Sequence, residues 1–145
     1  LRSVSMSSKM TGGCHCGAVR YEITADPMFP GLCHCRDCQI KSGAPHVSAF
    51  AIPAKDMNVT GEVRHYTHKN DDGYTVGSNF CPNCGSRMFG TTTRMPEMAV
   101  IFTTSLDNPA PVKPGMHVFA ASVLPWDRID DGLPAFPGMP QVEHA

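Results

Sequence analysis

Two cysteine pairs far apart in the sequence restrict the folds open to this chain more than any other feature. Cys14 and Cys16 flank His15, Cys81 and Cys84 flank Pro82-Asn83, and 65 positions separate Cys16 from Cys81. The second pair is the sharper signal. In Cys81-Pro82-Asn83-Cys84-Gly85 proline fixes φ after the first thiol, and glycine accepts a left-handed conformation. Such a turn aims both sulfurs at one point and backbone N–H groups at the sulfurs. Cys14 and Cys16 are the natural other half, because side chains at i and i+2 share a face in extended backbone. Four thiolates complete the tetrahedral shell of a structural zinc. A metal held this way ties distant strands together where a small β domain lacks apolar core. The competing reading is two buried or redox-active pairs without metal. A redox C-x-x-C would lie beside a βαβ pattern, which is absent from the sequence.

The other three of the seven cysteines lie in Cys33-His34-Cys35-Arg36-Asp37-Cys38. Structural zinc sites take four protein ligands, whereas catalytic ones keep three and an open position. Seven cysteines therefore divide into four and three. The favoured reading places Cys33, Cys35 and Cys38 around a second, catalytic zinc with an exchangeable fourth position. Two alternatives stay open: a second closed site with His34, His15 or His46 as fourth ligand, and an exchange of ligands between the two groups. A zinc ion with three thiolates carries net −1, so it activates water less readily than a histidine-bound ion. Binding a substrate thiol as thiolate suits a soft site better. A free thiol of pKa about 8.5 is only a few per cent ionised at neutral pH, and coordination removes that penalty. This points to chemistry at a thiol, such as addition to a carbonyl or cleavage of a carbon–sulfur bond. Within the loop, Arg36 can meet a substrate carboxylate and Asp37 can hold a backbone N–H, although both read more simply as solvated turn residues, and His34 can shuttle protons or point into the structure.

The rest of the chain reads as short strands. Thirteen glycines and thirteen prolines punctuate it, which disfavours long helices. Strands are expected at 19–23, 46–52, 57–60, 64–67, 74–80, 87–91, 97–104 and 117–124, with a turn of helix over 39–44 and a turn at Asn70-Asp71-Asp72-Gly73. Asp26-Pro27 and Pro30-Gly31 read as a turn that delivers the chain to Cys33. Residues 126–145 are irregular and proline-rich, and are expected to wrap the surface. An all-β fold follows, with ligand pairs distant in sequence meeting at one end of it.

At 145 residues the chain suits one domain. Its boundaries are expected at 11–137, with a disordered tail or expression remnant over 1–10, Met6 as the natural start, and a C-terminal tail over 138–145. A formal net charge of −1 without a basic stripe speaks against nucleic-acid binding. No apolar run reaches the roughly 18 residues of a membrane span, and 1–10 lacks a signal-peptide core. An odd number of closely spaced cysteines is a poor disulfide framework. The protein is therefore expected to be soluble and cytoplasmic, in a reducing compartment.

Taken together, G-G-C-H-C-G-A-V-R-Y (12–21), C-H-C-R-D-C-Q-x-x-S-G (33–43), F-C-P-N-C-G-S-R-M-F (80–89), H-V-F-A-A-S-x-L-P-W (117–126) and D-D-G-L-P-x-F (130–136) resemble the glutathione-dependent formaldehyde-activating family. That family includes centromere protein V. The resemblance implies a β-tent fold, a structural zinc on Cys14, Cys16, Cys81 and Cys84, and catalytic-zinc cysteines Cys33, Cys35 and Cys38. The activity it implies is condensation of glutathione with formaldehyde to S-(hydroxymethyl)glutathione, a carbon–sulfur lyase reaction read in reverse. Another small thiol or electrophile would fit the same chemistry. A non-catalytic zinc-stabilised binding module and a hydrolase using zinc-bound water are the alternatives. Glutathione has two carboxylates and needs convergent cations; Arg20, Arg36, Lys41, Lys55, Arg87 and Arg94 lie near the motifs. Oligomeric state is not legible.

Overall fold

A computed structural model describes residues 9–140. Among them are ten strands and one α-helix, so the fold is mostly β, as the sequence reading has it. Of the tails expected over 1–10 and 138–145, residues 1–8 and 141–145 lie outside the described residues. Met10, by contrast, opens the first strand.

The described residues fall into two compact units: 9–28 with Phe50–Val112, and Phe29–Ala49 with 113–140. The first unit holds a three-stranded antiparallel sheet, β1 (Met10–Gly13), β2 (Arg20–Ile23) and β5 (Met57–Thr60), with β2 central. Tyr21 and Ile23 on β2 are buried and its intervening Glu22 is not, the period of a sheet with one face on the core. The same unit carries β9 (Met98–Phe102), β8 (Arg87–Thr92), β7 (Thr75–Phe80) and β6 (Arg64–Lys69), paired antiparallel in that order. β6 ends the series. Its Arg64, His65, Tyr66 and Lys69 are exposed, and charge on an edge strand discourages pairing with another chain. The core joins Val19, Tyr21 and Ile23 to Ile52, Met88, Ile101 and Leu106, with Cys14 and Cys81 inside the cluster.

In the second unit β3 (Met28–Cys33, entered from the first unit at Met28) lies between β10 (His117–Val118) and β4 (Val47–Pro53, whose last residues belong to the first unit). β3 and β10 are parallel, with His117 opposite Leu32 and Val118 opposite Cys33. Helix α1 (Arg36–Ser42) follows β3 and stops at Gly43, whose left-handed backbone donates its N–H to the Gln39 carbonyl.

Several expectations shift. β1 and β3 occupy segments read as loop and turn, because Gly12, Gly13, Pro30 and Gly31 mask their strand character. The strand expected over 117–124 stops after two residues: Phe119 turns left-handed at φ 54° and a 3-10 turn follows. Likewise, β9 ends at Phe102 in a 3-10 turn. Nor does the C-terminal stretch merely wrap the surface. The His117 N–H donates to the Pro134 carbonyl at 2.8 Å and the Phe136 N–H to the His117 carbonyl at 2.9 Å, so this stretch runs alongside β10.

Candidate metal centres

In the first unit the chain folds back at each cysteine pair. The Cys14 N–H donates to the Val19 carbonyl at 3.1 Å, and the Val19 N–H returns to the Cys14 sulfur at 3.2 Å. At the other pair, the Gly85 N–H reaches the Cys81 carbonyl at 2.8 Å, with Gly85 at φ 80°. The N–H groups of Asn83 and Cys84 point at the Cys81 sulfur from 3.3 and 3.5 Å. These donors stabilise negative charge on sulfur. The turn thus has the geometry that its proline and glycine suggest.

The four sulfurs of Cys14, Cys16, Cys81 and Cys84 lie within 4.8 Å of one another. Cys16 Sγ is 3.6 Å from Cys14 Sγ and 3.7 Å from Cys81 Sγ. A tetrahedral zinc with Zn–S bonds of about 2.3 Å needs sulfurs about 3.8 Å apart, so spacing and donor type fit that ion. Ser86 supports the set. Its hydroxyl lies 3.2 Å from Cys84 Sγ and accepts the His15 N–H at 3.0 Å. Hydrogen bonding from Ser86 holds the Cys84 thiol down at about 5.

The second unit brings together Cys33, Cys35 and Cys38. Cys33 ends β3, and Cys35 is the N-cap of α1, its sulfur accepting the Cys38 N–H at 3.2 Å. That is the task serine or aspartate performs at most helix starts. Cys38, on the helix, comes within 3.6 Å of Cys33 Sγ. Contacts from Cys33 and Cys38 hold the Cys35 thiol down at about 2, while the Cys35 and Cys38 sulfurs and burial push Cys33 up. One thiolate is thus welcome here, and three would require a cation among them. Among the described residues no His, Cys, Asp or Glu adds a ligand atom within 4.8 Å of all three sulfurs. The 3.6 Å spacing again matches the edge of a zinc tetrahedron.

The histidines weighed as a fourth ligand lie elsewhere. His15 belongs to the first unit. His34 is fully buried and makes contact away from the sulfurs: its Nε2 is 2.9 Å from His117 Nδ1, and its ring centroid 5.0 Å from that of His46. Gln39 holds the same loop, its amide donating to the His34 and Ser122 carbonyls at 3.0 and 3.1 Å. Sequence reasoning missed His117, Asp127 and Asp131. Asp127 Oδ2 accepts from His46 Nδ1 at 2.6 Å, and Asp131 accepts from His117 Nε2 at 2.9 Å. A histidine opening an apolar run and three aspartates in the Pro-rich tail were the available signal.

Of the six candidate cations, only Arg36 and Lys41 share a unit with the three-cysteine cluster. Arg36 Nη1 donates to Gln39 Oε1 at 3.3 Å. Arg20 pairs with Asp107, Arg87 lies 4.0 Å over the Phe102 ring, and Arg94 lies 6.0 Å over Tyr74. No helix among the described residues is long and apolar enough to cross a membrane.

Residues 9–122 match the family model described as glutathione-dependent formaldehyde-activating enzyme. A Halomonas elongata protein, provisionally named a glutathione-dependent formaldehyde-activating enzyme, is 26% identical over 127 residues, 83% of this chain and 81% of that protein. A crystal structure of a Rhodobacter sphaeroides protein superposes with a TM-score of 0.56 at 20% identity, covering 88% of this chain and 99% of that one. At that identity the likeness concerns the fold alone.

Proposed function

The chain belongs to the glutathione-dependent formaldehyde-activating family, and from that premise we propose that it joins a small thiol, glutathione or a relative, to formaldehyde or a similar electrophile. The observation that carries this reading is the three-sulfur cluster of Cys33, Cys35 and Cys38 with no fourth protein donor among the described residues. In this reading those three cysteines hold a catalytic zinc, and Cys14, Cys16, Cys81 and Cys84 hold a structural one. When bound, the catalytic ion supplies a place where a substrate thiol is held ionised beside its electrophile.

The reaction needs no redox partner. A carbon–sulfur bond forms, the carbonyl π bond breaks, and the thiol proton ends on the new hydroxyl. Read backwards, it is a carbon–sulfur lyase reaction. The chain's own contribution is positional. β3 and α1 fix two of the sulfurs, the helix cap fixes Cys35, and Gln39 pins the loop that links them.

The test is exchange NMR on glutathione and formaldehyde at equilibrium, with the metal-loaded protein added in catalytic amount. Accelerated interconversion of free and S-hydroxymethyl glutathione, reduced at least tenfold by Cys38→Ser, is the expected result. No acceleration with glutathione or any other small thiol would overturn the reading. Turnover of an ester in thiol-free buffer would favour hydrolysis instead.

A further inference from the structure

Behind the cysteine loop of the second unit lies a group of side chains that thiol chemistry does not use. Asp131 can only accept, so His117 donates to it through Nε2, at 2.9 Å to Oδ2 and 3.1 Å to Oδ1. In the neutral ring His117 Nδ1 is then an acceptor, and the partner at 2.9 Å, His34 Nε2, must be the donor. That leaves His34 Nδ1 as a bare lone pair. The residue is fully buried and Nδ1 has no hydrogen-bond partner. What it faces is another acceptor, Asp127 Oδ2, at 3.4 Å.

Two acceptors aimed at each other in a buried place are unfavourable unless something positive lies between them. A third group converges on the same point. His46 Nδ1 lies 2.6 Å from Asp127 Oδ2, and His34, His46 and Asp127 each offer one ligand atom within 4.8 Å of those of the other two. His46 needs only to carry its proton on Nε2 for Nδ1 to offer its lone pair to a metal ion.

We propose that His34, His46 and Asp127 form a further cation site, taking a divalent transition-metal ion through two imidazole nitrogens and one carboxylate oxygen. This donor set suits zinc, cobalt or nickel rather than magnesium or calcium, which prefer all-oxygen shells. The outer contacts expected of such a site are already present. His34 gives its remaining N–H to His117, which is in turn held by Asp131, the arrangement that fixes tautomer and orientation of metal-bound imidazoles. Because His34 stands between Cys33 and Cys35, a cation there braces the cysteine loop on its other face.

The test titrates the reduced, metal-free full chain with Co2+, following bound cobalt per chain and sulfur-to-cobalt charge-transfer absorbance in the near ultraviolet. Wild type should bind one equivalent more than His46→Ala or Asp127→Asn, with the same final charge-transfer absorbance in all three. Equal stoichiometry in all three overturns the proposal, as does charge-transfer absorbance lost together with the missing equivalent. Should both variants fail to fold, wild type decides alone: one cobalt must bind without adding charge-transfer absorbance, and a rise with every equivalent refutes the site. Cys35→Ser separates this proposal from the thiol reading, because it should retain the extra nitrogen-bound equivalent whatever happens to the sulfur-bound one.

Discussion

Replacing Cys81 by serine removes one sulfur from a cluster that links positions 65 residues apart in sequence. Cross-linking so long a loop lowers the entropy of the unfolded chain by an amount worth about 4 kcal/mol, whereas the five-residue span from Cys33 to Cys38 gives about 2 kcal/mol on the same relation. Domains of this size are stable by only about 5–15 kcal/mol. With a urea m-value of about 2 kcal/mol per molar, Cys81→Ser should lower the unfolding midpoint by about 2 M, and Cys38→Ser by about 1 M or less. A strong chelator, which empties both clusters, should bring wild type down at least to the level of Cys81→Ser. Midpoints would be read from far-ultraviolet circular dichroism in reducing buffer. A wild-type midpoint indifferent to the chelator, or a Cys38→Ser loss equal to that of Cys81→Ser, would refute the claim that the four-sulfur cluster is the structural one.

Gly12→Ala should cost about 1–3 kcal/mol in a urea melt, because a Cβ there would meet the Ser105 carbonyl and the Tyr21 ring, both at 2.5 Å; an unchanged midpoint would contradict this packing. Burial pushes the Tyr21 phenol up to about 12, so the folded chain keeps a proton that the unfolded chain loses near pH 10. Stability is therefore full below pH 10 and falls as pH rises through 12, by roughly 2–3 kcal/mol, and Tyr21→Phe should flatten that alkaline slope. The half-exposed Arg20–Asp107 pair, also joined by Thr11 Oγ1 at 2.7 Å, lowers the Asp107 pKa. It adds stability above pH 4 that is lost in acid, and Asp107→Asn should change the neutral-pH stability from urea melts by less than about 1 kcal/mol.

What could be read in advance follows the range of the interactions concerned. β4 to β8 declared themselves through local composition, and the Cys81-Pro82-Asn83-Cys84-Gly85 turn through its backbone requirements, because both are decided within a few residues. β1 and β3 did not. Gly12 is a strand residue because the Tyr21 ring leaves no room for a side chain, and Pro30 and Gly31 lie in a strand because Leu32 pairs with His117. Helix α1 begins at Arg36, three residues earlier than expected, because the Cys35 sulfur serves as its cap. The grouping of sulfurs was legible as spacing, whereas the histidine–aspartate network was not. It depends on Asp127 and Asp131 reaching His46 and His117, 81 and 14 positions away.

The central claim concerns the shell of the three-cysteine cluster, and glutathione tests it directly. Cobalt-loaded protein carries seven thiolate ligands on this account, four in one cluster and three in the other. Adding glutathione should raise the sulfur-to-cobalt charge-transfer absorbance by about one part in seven, for an eighth thiolate, and Cys35→Ser should abolish that increment while the four-sulfur signal persists. An absorbance unmoved by glutathione or by any other small thiol would contradict it.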